Sequence, residues 1–279
     1  MRTGNRESGL VVLDTNCFKY LDDVAERTRI LRSLRAVDLT IWPSALNVVQ
    51  LASWRNVARR NARFATLKNI AGNRPLLPWP YDILKRVGEA IQSGEPGFRT
   101  GQSGVEWVVD QLPLPSDPKV VQALKTLKAM DQAFDQAHTT ARPKLQAMVK
   151  KGSPWKSPAE FLDNQWTRPE QVDTLIEIIW KQLQLSGAPP VTELLESESW
   201  RLLIDGFGVS IYLRSVLKQQ APFVELTDMV QLVYLGGRPR RILVSEDKDF
   251  VAAASAVVNH RYPGAYVYGW KDFAAKHNV

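Results

Sequence analysis

The chain has 279 residues, 44% of them hydrophobic, which is enough for a sizeable core in one large domain or one and a half domains. The single cysteine, Cys17, excludes an intrachain disulfide and is typical of a reducing compartment, and no apolar run reaches the roughly 18–20 residues of a membrane span. The net charge of +7 favours polyanionic partners, although many basic proteins bind none. Because Arg2 and Arg6 are not followed by a long apolar stretch, the start does not resemble a secretory signal peptide, and we expect a soluble, cytoplasmic protein with no membrane partner.

The first 75 residues alternate between strand and helix patterns. Residues 9–13 form a continuous apolar run typical of a buried parallel strand, and residues 21–39 have apolar positions at helical spacing. A short strand at 39–42 stops at Pro43. Ser44 then predicts the N-cap of a helix that runs to about Ile70 and ends at Gly72.

The middle of the chain has a different character. Prolines and glycines punctuate residues 75–100, and from about 105 to 200 the pattern is helical. We therefore predict a helical insertion over 76–199, within an α/β domain formed by 1–75 and 200–279. We expect most tryptophans in or beside this insertion to be core residues, with one or two exposed ones free to stack on unpaired bases, and they are Trp107, Trp155, Trp166, Trp180 and Trp200.

The C-terminal part again alternates between helix and strand patterns. A helical run over 200–220 stops at Pro222, and Thr227 predicts the cap of a helix over 228–235 that Gly236 and Gly237 close. A strand at 242–245 precedes a helix through 252–258, a last strand at 266–268 and a short terminal helix. Alternation at both ends predicts an α/β fold with a mainly parallel central sheet and flanking helices.

Acidic residues follow two of the predicted strands. Asp14 comes directly after 9–13, and Glu246, Asp247 and Asp249 come after 242–245. Because parallel strands place their carboxyl ends at one edge of the sheet, these carboxylates should gather there. They would repel one another unless a divalent cation lay between them, so the pattern predicts a metal-dependent enzyme. The sequence has no GxxxxGK[ST] phosphate loop, and its three histidines lack metal-ligand spacing.

In this arrangement the chain resembles the PIN-domain nucleases. The resemblance lies in Val-Val-Leu-Asp14-Thr15-Asn16, in Asp228 at a helix start, and in Leu-Val-Ser245-Glu-Asp247-Lys-Asp249-Phe250, and it covers roughly 9–70 and 200–270. It implies an enzyme that cuts RNA and holds Mg²⁺ or Mn²⁺ with three or four acidic residues. Asp14 and Asp228 are then expected to be inner metal ligands, and Asp247 a ligand directly or through water. Asp249 would orient a water, with Asn16 and Ser245 as supporting residues.

One position departs from the pattern of that family. The family places a Glu on the helix after the second strand, and Gln50 takes this position here. A glutamine offers a metal a carbonyl oxygen but no charge. Either the site works with fewer carboxylates, or its activity is weakened, or another acid substitutes. The candidate substitutes are Glu225 and Glu246, with Glu106 and Glu193 from the insertion as further alternatives.

Each acidic residue also has a purely structural interpretation. An aspartate after a strand, such as Asp14, often caps the next helix. Asp228 can be a first-turn acid stabilised by the helix dipole, and Asp249 can be a solvated residue beside Lys248. The order and spacing of the three segments together favour the site.

Basic residues without any acid occupy 55–74. Arg55, Arg59 and Arg63 are spaced i,i+4 and share a helix face, whereas Arg60 points elsewhere. Stacked like charges destabilise a helix by roughly a few tenths of a kcal/mol per pair, and phosphates would relieve this. We therefore assign Arg55, Arg59, Arg60 and Arg63 to nucleic-acid binding, with a solvated surface as the alternative.

The sequence thus predicts a metal-dependent ribonuclease with an acidic Mg²⁺ or Mn²⁺ site. One alternative is an RNA-binding protein of the same fold with a weakened or inactive site. Another is a metal-dependent phosphatase, although Asn16 stands where phosphatases with an aspartyl nucleophile need a second acid. A role as the toxin of a toxin–antitoxin pair, with an antitoxin or other protein partner, is compatible with nuclease activity. The RNA preference and any homo-oligomer are left open.

Overall fold

The computed structural model of the protein describes residues 9–94, 116–129, 155–166, 169–215, 226–237 and 240–279, with four single positions between 132 and 143. Four strands form one sheet, and they are β1 (Gly9–Leu13), β2 (Leu39–Ile41), β3 (Arg241–Ser245) and β4 (Ala265–Gly269). All neighbouring strands are parallel, in the order β2-β1-β3-β4. The prediction of an α/β fold with a mainly parallel sheet is therefore confirmed.

Helices follow the strands in the N-terminal part. A 3₁₀ helix (Thr15–Leu21) follows β1, and the next helices are α1 (Val24–Ala36), α2 (Ala45–Ala52) and α3 (Val57–Ala71). The prediction of one continuous helix from Ser44 to about Ile70 was wrong. The chain breaks at 53–56, where the Asn56 side chain accepts a hydrogen bond from Arg59 N at 3.0 Å and caps α3.

The remaining helices fill the middle and C-terminal parts of the chain. They are α4 (Pro80–Ser93), α5 (118–129), α6 (Pro158–Phe161), α7 (Pro169–Gln182), α8 (Val191–Glu196), α9 (Glu198–Ser215), α10 (Leu226–Met229), α11 (Lys248–Arg261) and α12 (Trp270–His277). A π-helical turn (Leu162–Trp166) continues α6, and a 3₁₀ helix (Val230–Leu235) continues α10. The predicted helix over 228–235 is thus mostly 3₁₀, and it ends at Gly236 as expected.

The side chains of β1 alternate between two hydrophobic clusters, one on each face of the sheet. Leu10 and Val12 face the cluster built with α2, α4, α9 and α11. Val11 and Leu13 face the cluster built with α1, α3 and α12. Covering both faces explains why β1 and β3 are apolar throughout and buried at every position.

The described part of the middle segment packs into the first of these clusters. Its helices α4, α6, α7 and α8 all contact α9. Trp155, Trp166, Trp180 and Trp200 are buried there, as predicted, and Trp107 lies outside the described residues. Because the core continues across residue 200, the division into 1–75 with 200–279 and 76–199 stays a prediction.

Helix length and polarity also bear on membrane crossing. Within the described ranges, every helix is too short or too polar to cross a bilayer.

Candidate functional site

Asp14 occupies the carboxyl end of β1, beside the end of β3. Its backbone N donates to the Val244 carbonyl at 2.8 Å, which joins the two strand ends. The side chain is only 3% exposed. One carboxylate oxygen, Oδ1, accepts from Thr15 N at 2.6 Å, and the other, Oδ2, accepts from Ser245 Oγ at 2.8 Å. Both oxygens are thus held by donors, and Ser245 lies where the sequence expected a supporting residue.

The surroundings of Asp14 disfavour its charged form. Burial raises the pKa of its carboxyl above the ordinary 3.8, although the hydrogen bonds from Ser245 and Thr15 lower it. The nearby charge of Asp247 raises the pKa further. The neutral carboxyl form of Asp14 is therefore favoured over the charged carboxylate.

Gln231 is a residue of this environment that sequence reasoning missed. It lies in the 3₁₀ helix after α10, is 1% exposed, and its amide also lowers the pKa of Asp14. Its Nε2 atom nevertheless lies outside hydrogen-bond geometry with any acceptor in the described part of the chain. The signal for it in the sequence is a lone polar residue in the apolar run 229–235.

Helix α2 contributes two amide side chains next to Asp14. Asn47 shares a capping box with Ser44, and its Nδ2 donates to the Leu13 carbonyl at 2.9 Å and to Thr15 Oγ1 at 3.2 Å. The Thr15 hydroxyl in turn donates to Gln50 Oε1. Gln50 therefore contacts Thr15, the residue that follows Asp14 in the chain. Asn47 was missed, and its signal is a polar residue three positions after Ser44, at the capping-box spacing.

The second acidic strand end belongs to β3 and α11. Asp247 caps α11, because its Oδ1 accepts from Asp249 N and Phe250 N, both at 2.9 Å. Its own N donates to Ser245 Oγ at 3.1 Å, so the Ser245 hydroxyl connects Asp247 to Asp14. Asp249 lies exposed in the first turn of α11, within the helix and not in a loop.

Glu246, a candidate substitute for the missing Glu, is already paired. Lys19 and Tyr20 both donate to its carboxylate, and the Tyr20 ring stacks on Trp270 with centroids 4.4 Å apart. Although its partial burial raises the pKa of Glu246, these two donors lower it below the ordinary value. Of the other candidates, Glu225 and Glu106 lie outside the described residues, and Glu193 lies in the first turn of α8.

Asp228 lies in α10, where it is half-buried and one turn before Gln231. Helix α10 packs against α9 and α11. Within the ranges that the structure describes, no three side chains of His, Cys, Asp or Glu converge to hold a metal ion. The structure therefore brings Asp14 and Asp247 together, but it does not assemble the expected ring of Asp14, Asp228 and Asp247. The carboxylate of Asp247 is turned towards the α11 amides that it caps.

A cavity of about 710 Å³ opens beside these strand ends. We call it the edge cleft, and its lining consists of Asn16, Lys19, Asp22, Trp54, Arg59, Ala62, Arg63, Glu246 and Asp247. Arg59 and Arg63, one turn apart on α3, thus face the same space as Asp247. Arg60 lies outside the cleft, and Arg55 lies in the turn before α3, so the predicted helical stack of Arg55 on Arg59 is wrong.

The charges of the edge cleft are largely paired with one another. Lys19 pairs with Glu246, and Arg63 pairs with Asp22, which also accepts from Thr66 Oγ1 at 3.2 Å. Arg59 lines the same cleft without an ion-pair partner among the described carboxylates. Its guanidinium is therefore the cleft cation that is available to an anion.

No protein-family model, curated protein or solved structure matches the chain.

Proposed function

We propose that the protein is a PIN-like, metal-dependent ribonuclease that hydrolyses phosphodiester bonds in the edge cleft. The observation that carries the proposal is that Asp247 and Arg59 line the same cavity, and that the Ser245 hydroxyl connects the Asp247 backbone N to the Asp14 carboxylate through two hydrogen bonds. A phosphodiester needs both kinds of group, a cation for its charge and carboxylates that hold a catalytic metal. The fold and the net charge of +7 are consistent with an RNA substrate.

Mg²⁺ or Mn²⁺ is the proposed cofactor. Proteins usually hold Mg²⁺ with one or two carboxylates, and substrate phosphates and waters fill the other positions. Asp14 and Asp247 would hold the ion, with Asp228 as the third acid. The unfavourable charge of the buried Asp14 carboxylate next to Asp247 fits such a cation. The chemistry supplied by a bound ion is a lowered water pKa and a neutralised phosphodiester charge.

The remaining residues of the site would bind the substrate phosphate, hold the Asp14 carboxylate or orient a water. Arg59 would contact a substrate phosphate, and Arg63 would do so on exchanging Asp22 for the phosphate. Ser245 keeps the Asp14 carboxylate in place through its 2.8 Å hydrogen bond. Asn16 lines the cleft and would hydrogen-bond to the substrate, and Asp249 would orient a water.

A second candidate is an RNA-binding protein with an inactive site of the same shape. It is favoured by the Asp247 carboxylate, which is committed to the α11 amides, and by the neutral Gln50 beside Thr15. Such a protein would bind RNA through Arg59 without cutting it. A toxin role with an antitoxin partner stays a prediction under either candidate.

Cleavage of a labelled RNA with Mg²⁺, with Mn²⁺ and with EDTA tests the two candidates. The nuclease should cut with either ion and be silent in EDTA, and Mn²⁺ should support more activity because a carboxamide-containing site binds Mg²⁺ weakly. Calorimetric titration of the apo protein should show heat of ion binding. RNA binding in EDTA without cleavage or metal binding would leave the second candidate, and neither binding nor cleavage would reject both.

Neighbouring arginines on α3 provide a matched test of the RNA path. Arg59→Gln should weaken RNA binding and reduce the log–log salt slope by about 0.7, because one phosphate contact to a single strand is lost. Arg60→Gln removes the same charge outside the edge cleft and should leave the slope nearer to that of the wild type. Fluorescence anisotropy at several salt concentrations measures both, and equal effects of the two variants would reject the edge cleft as the RNA path.

A further inference from the structure

Trp54 stands at the border between the hydrophobic core and the edge cleft. It lies in the turn between α2 and α3, where its backbone N donates to the Leu51 carbonyl at 3.0 Å. The side chain is half-buried, packs against the core cluster of Val11 and Leu13, and also lines the cleft. One part of the indole is thus anchored by apolar contacts, and another part faces open space.

Buried tryptophans elsewhere in the molecule are used differently. The indole N–H of Trp166 donates to the Ile204 carbonyl at 2.6 Å, and that of Trp200 donates to the Leu84 carbonyl at 3.0 Å. Both rings are surrounded by core side chains. Trp166 and Trp200 are therefore core residues with no surface open to a ligand, whereas Trp54 lines a cavity that can hold one.

Arg59 lies five residues after Trp54 and lines the same cavity. The cleft volume of about 710 Å³ falls within the roughly 300–1,000 Å³ typical of ligand pockets. A flat aromatic ring beside an available guanidinium matches the two parts of a nucleotide, because the ring can stack on the base and the guanidinium can bind the phosphate.

We infer that Trp54 is a stacking platform for one unpaired base and thereby determines a preference for single-stranded RNA. This inference rests on the proposed function, since it concerns the substrate of the same cleft. In a duplex the faces of each base are covered by neighbouring base pairs, so a duplex cannot offer a face to Trp54 without unstacking. Stacking also tolerates every base, so the preference should be for unpaired nucleotides and not for one sequence.

Two substitutions separate stacking from simple packing. Trp54→Leu keeps an apolar side chain against the core but removes the flat ring, and it should weaken binding of an unstructured RNA oligonucleotide by about 5- to 150-fold. Trp54→Phe keeps an aromatic face and should retain most of the affinity. Neither variant should change the salt slope, because no phosphate contact is lost. Trp42→Leu, at a half-buried tryptophan outside the cleft, is the matched control.

Binding is measured in EDTA by fluorescence anisotropy, so the result does not depend on catalysis. The wild type should bind the oligonucleotide more tightly than a blunt RNA duplex of the same length, and Trp54→Leu should reduce that difference. Equal binding of both RNAs by the wild type, or unchanged binding by a folded Trp54→Leu, would overturn the inference and leave the nuclease proposal standing. If the wild type binds unpaired RNA through Trp54 but does not cleave RNA, the result would count against the nuclease proposal alone. If the wild type binds no RNA, both the stacking inference and the nuclease proposal would be overturned.

Discussion

Asp14 and Asp247 both follow buried apolar strands at one edge of the sheet, but their surroundings differ. Asp14 follows β1 directly, is almost completely buried, and has both carboxylate oxygens held by donors. Asp247 follows β3 after one intervening residue, is half-buried, caps α11 and lines the edge cleft. One hydroxyl, that of Ser245, connects the two.

The difference shows that position after a strand does not by itself decide what a carboxylate does. Asp14 lies under the side chains of α2 and of the 3₁₀ helix after α10, so its charge is disfavoured unless a cation compensates it. Asp247 is stabilised by backbone amides at a helix start, which need no cation. We therefore expect Asp14 to dominate the chemistry and Asp247 to contribute to stability as well.

The largest expected effect is that of Asp14→Asn on cleavage. Loss of the buried carboxylate should reduce metal-dependent RNA cleavage by about two orders of magnitude or more, since metal catalysis contributes several kcal/mol. Folding should be preserved, because Asn accepts from Thr15 N and can donate to Ser245 Oγ. Asp272→Asn, at an exposed acid after β4, is the control. Full activity of Asp14→Asn with Mg²⁺ would remove Asp14 from the mechanism.

The second prediction concerns the Asn47 side-chain amide, which hydrogen-bonds α2 to the end of β1. Asn47→Ala should lower the free energy of unfolding by about 2–4 kcal/mol, because it removes the Asn47 half of the capping box and the buried bonds of its side chain to Ser44 N and the Leu13 carbonyl. Gln50→Ala loses only the contact with Thr15 and should lower it by less than about 1 kcal/mol. Urea unfolding measures both, and a reversed order would contradict the buried network around Asp14.

Stability should also depend on pH through Asp14. The pKa of the Asp14 carboxyl in the folded protein lies above the ordinary 3.8. As the pH rises, the unfolded chain therefore releases this proton at a lower pH than the folded protein does. Raising the pH from 3.8 through the raised pKa should therefore destabilise the wild type relative to Asp14→Asn, by at most about 1.4 kcal/mol per pH unit. Parallel unfolding curves of the two proteins test this, and a constant difference across the range would show that the pKa is not raised.

Gln50→Glu sharpens the comparison by adding a carboxylate beside Asp14. We expect Mn²⁺ binding to tighten by roughly tenfold, because the neutral amide is replaced by a charged ligand. In EDTA the extra charge should instead lower the melting temperature. Calorimetry and thermal unfolding measure the two effects. Loss of activity with normal folding would mean that another acid already occupies this space.

The smallest expected effects separate Asp247 from Asp249. Asp247→Ala should cost about 1 kcal/mol of stability, because the capping bonds to Asp249 N and Phe250 N are lost. Asp249→Ala removes only a first-turn charge and should cost about 0.3–0.5 kcal/mol. Thermal unfolding in EDTA, without metal binding, compares them. Equal losses would mean that capping by Asp247 contributes little.

Much of the fold could be predicted because its signals are local. The continuous apolar runs of β1 and β3 predict buried parallel strands, and Ser44 predicts the start of α2. The break between α2 and α3 could not be predicted from helical spacing, since apolar and polar positions continue through it. Asn56 forms the new cap, and this places Trp54 on the edge cleft and Arg55 outside α3.

The sequence by itself determined the α/β class, the alternation of strands and helices at each end of the chain, and the delivery of Asp14 and Asp247 to one edge of the sheet. Those features follow from side-chain periodicity and from the geometry of parallel strands. Only the tertiary structure decided that Asn47 and Gln231 surround Asp14, that Lys19 pairs with Glu246, and that Arg59 keeps an open face towards the cleft. Burial, hydrogen-bond geometry and cavity shape depend on contacts between segments far apart in the chain, and no local pattern encodes them.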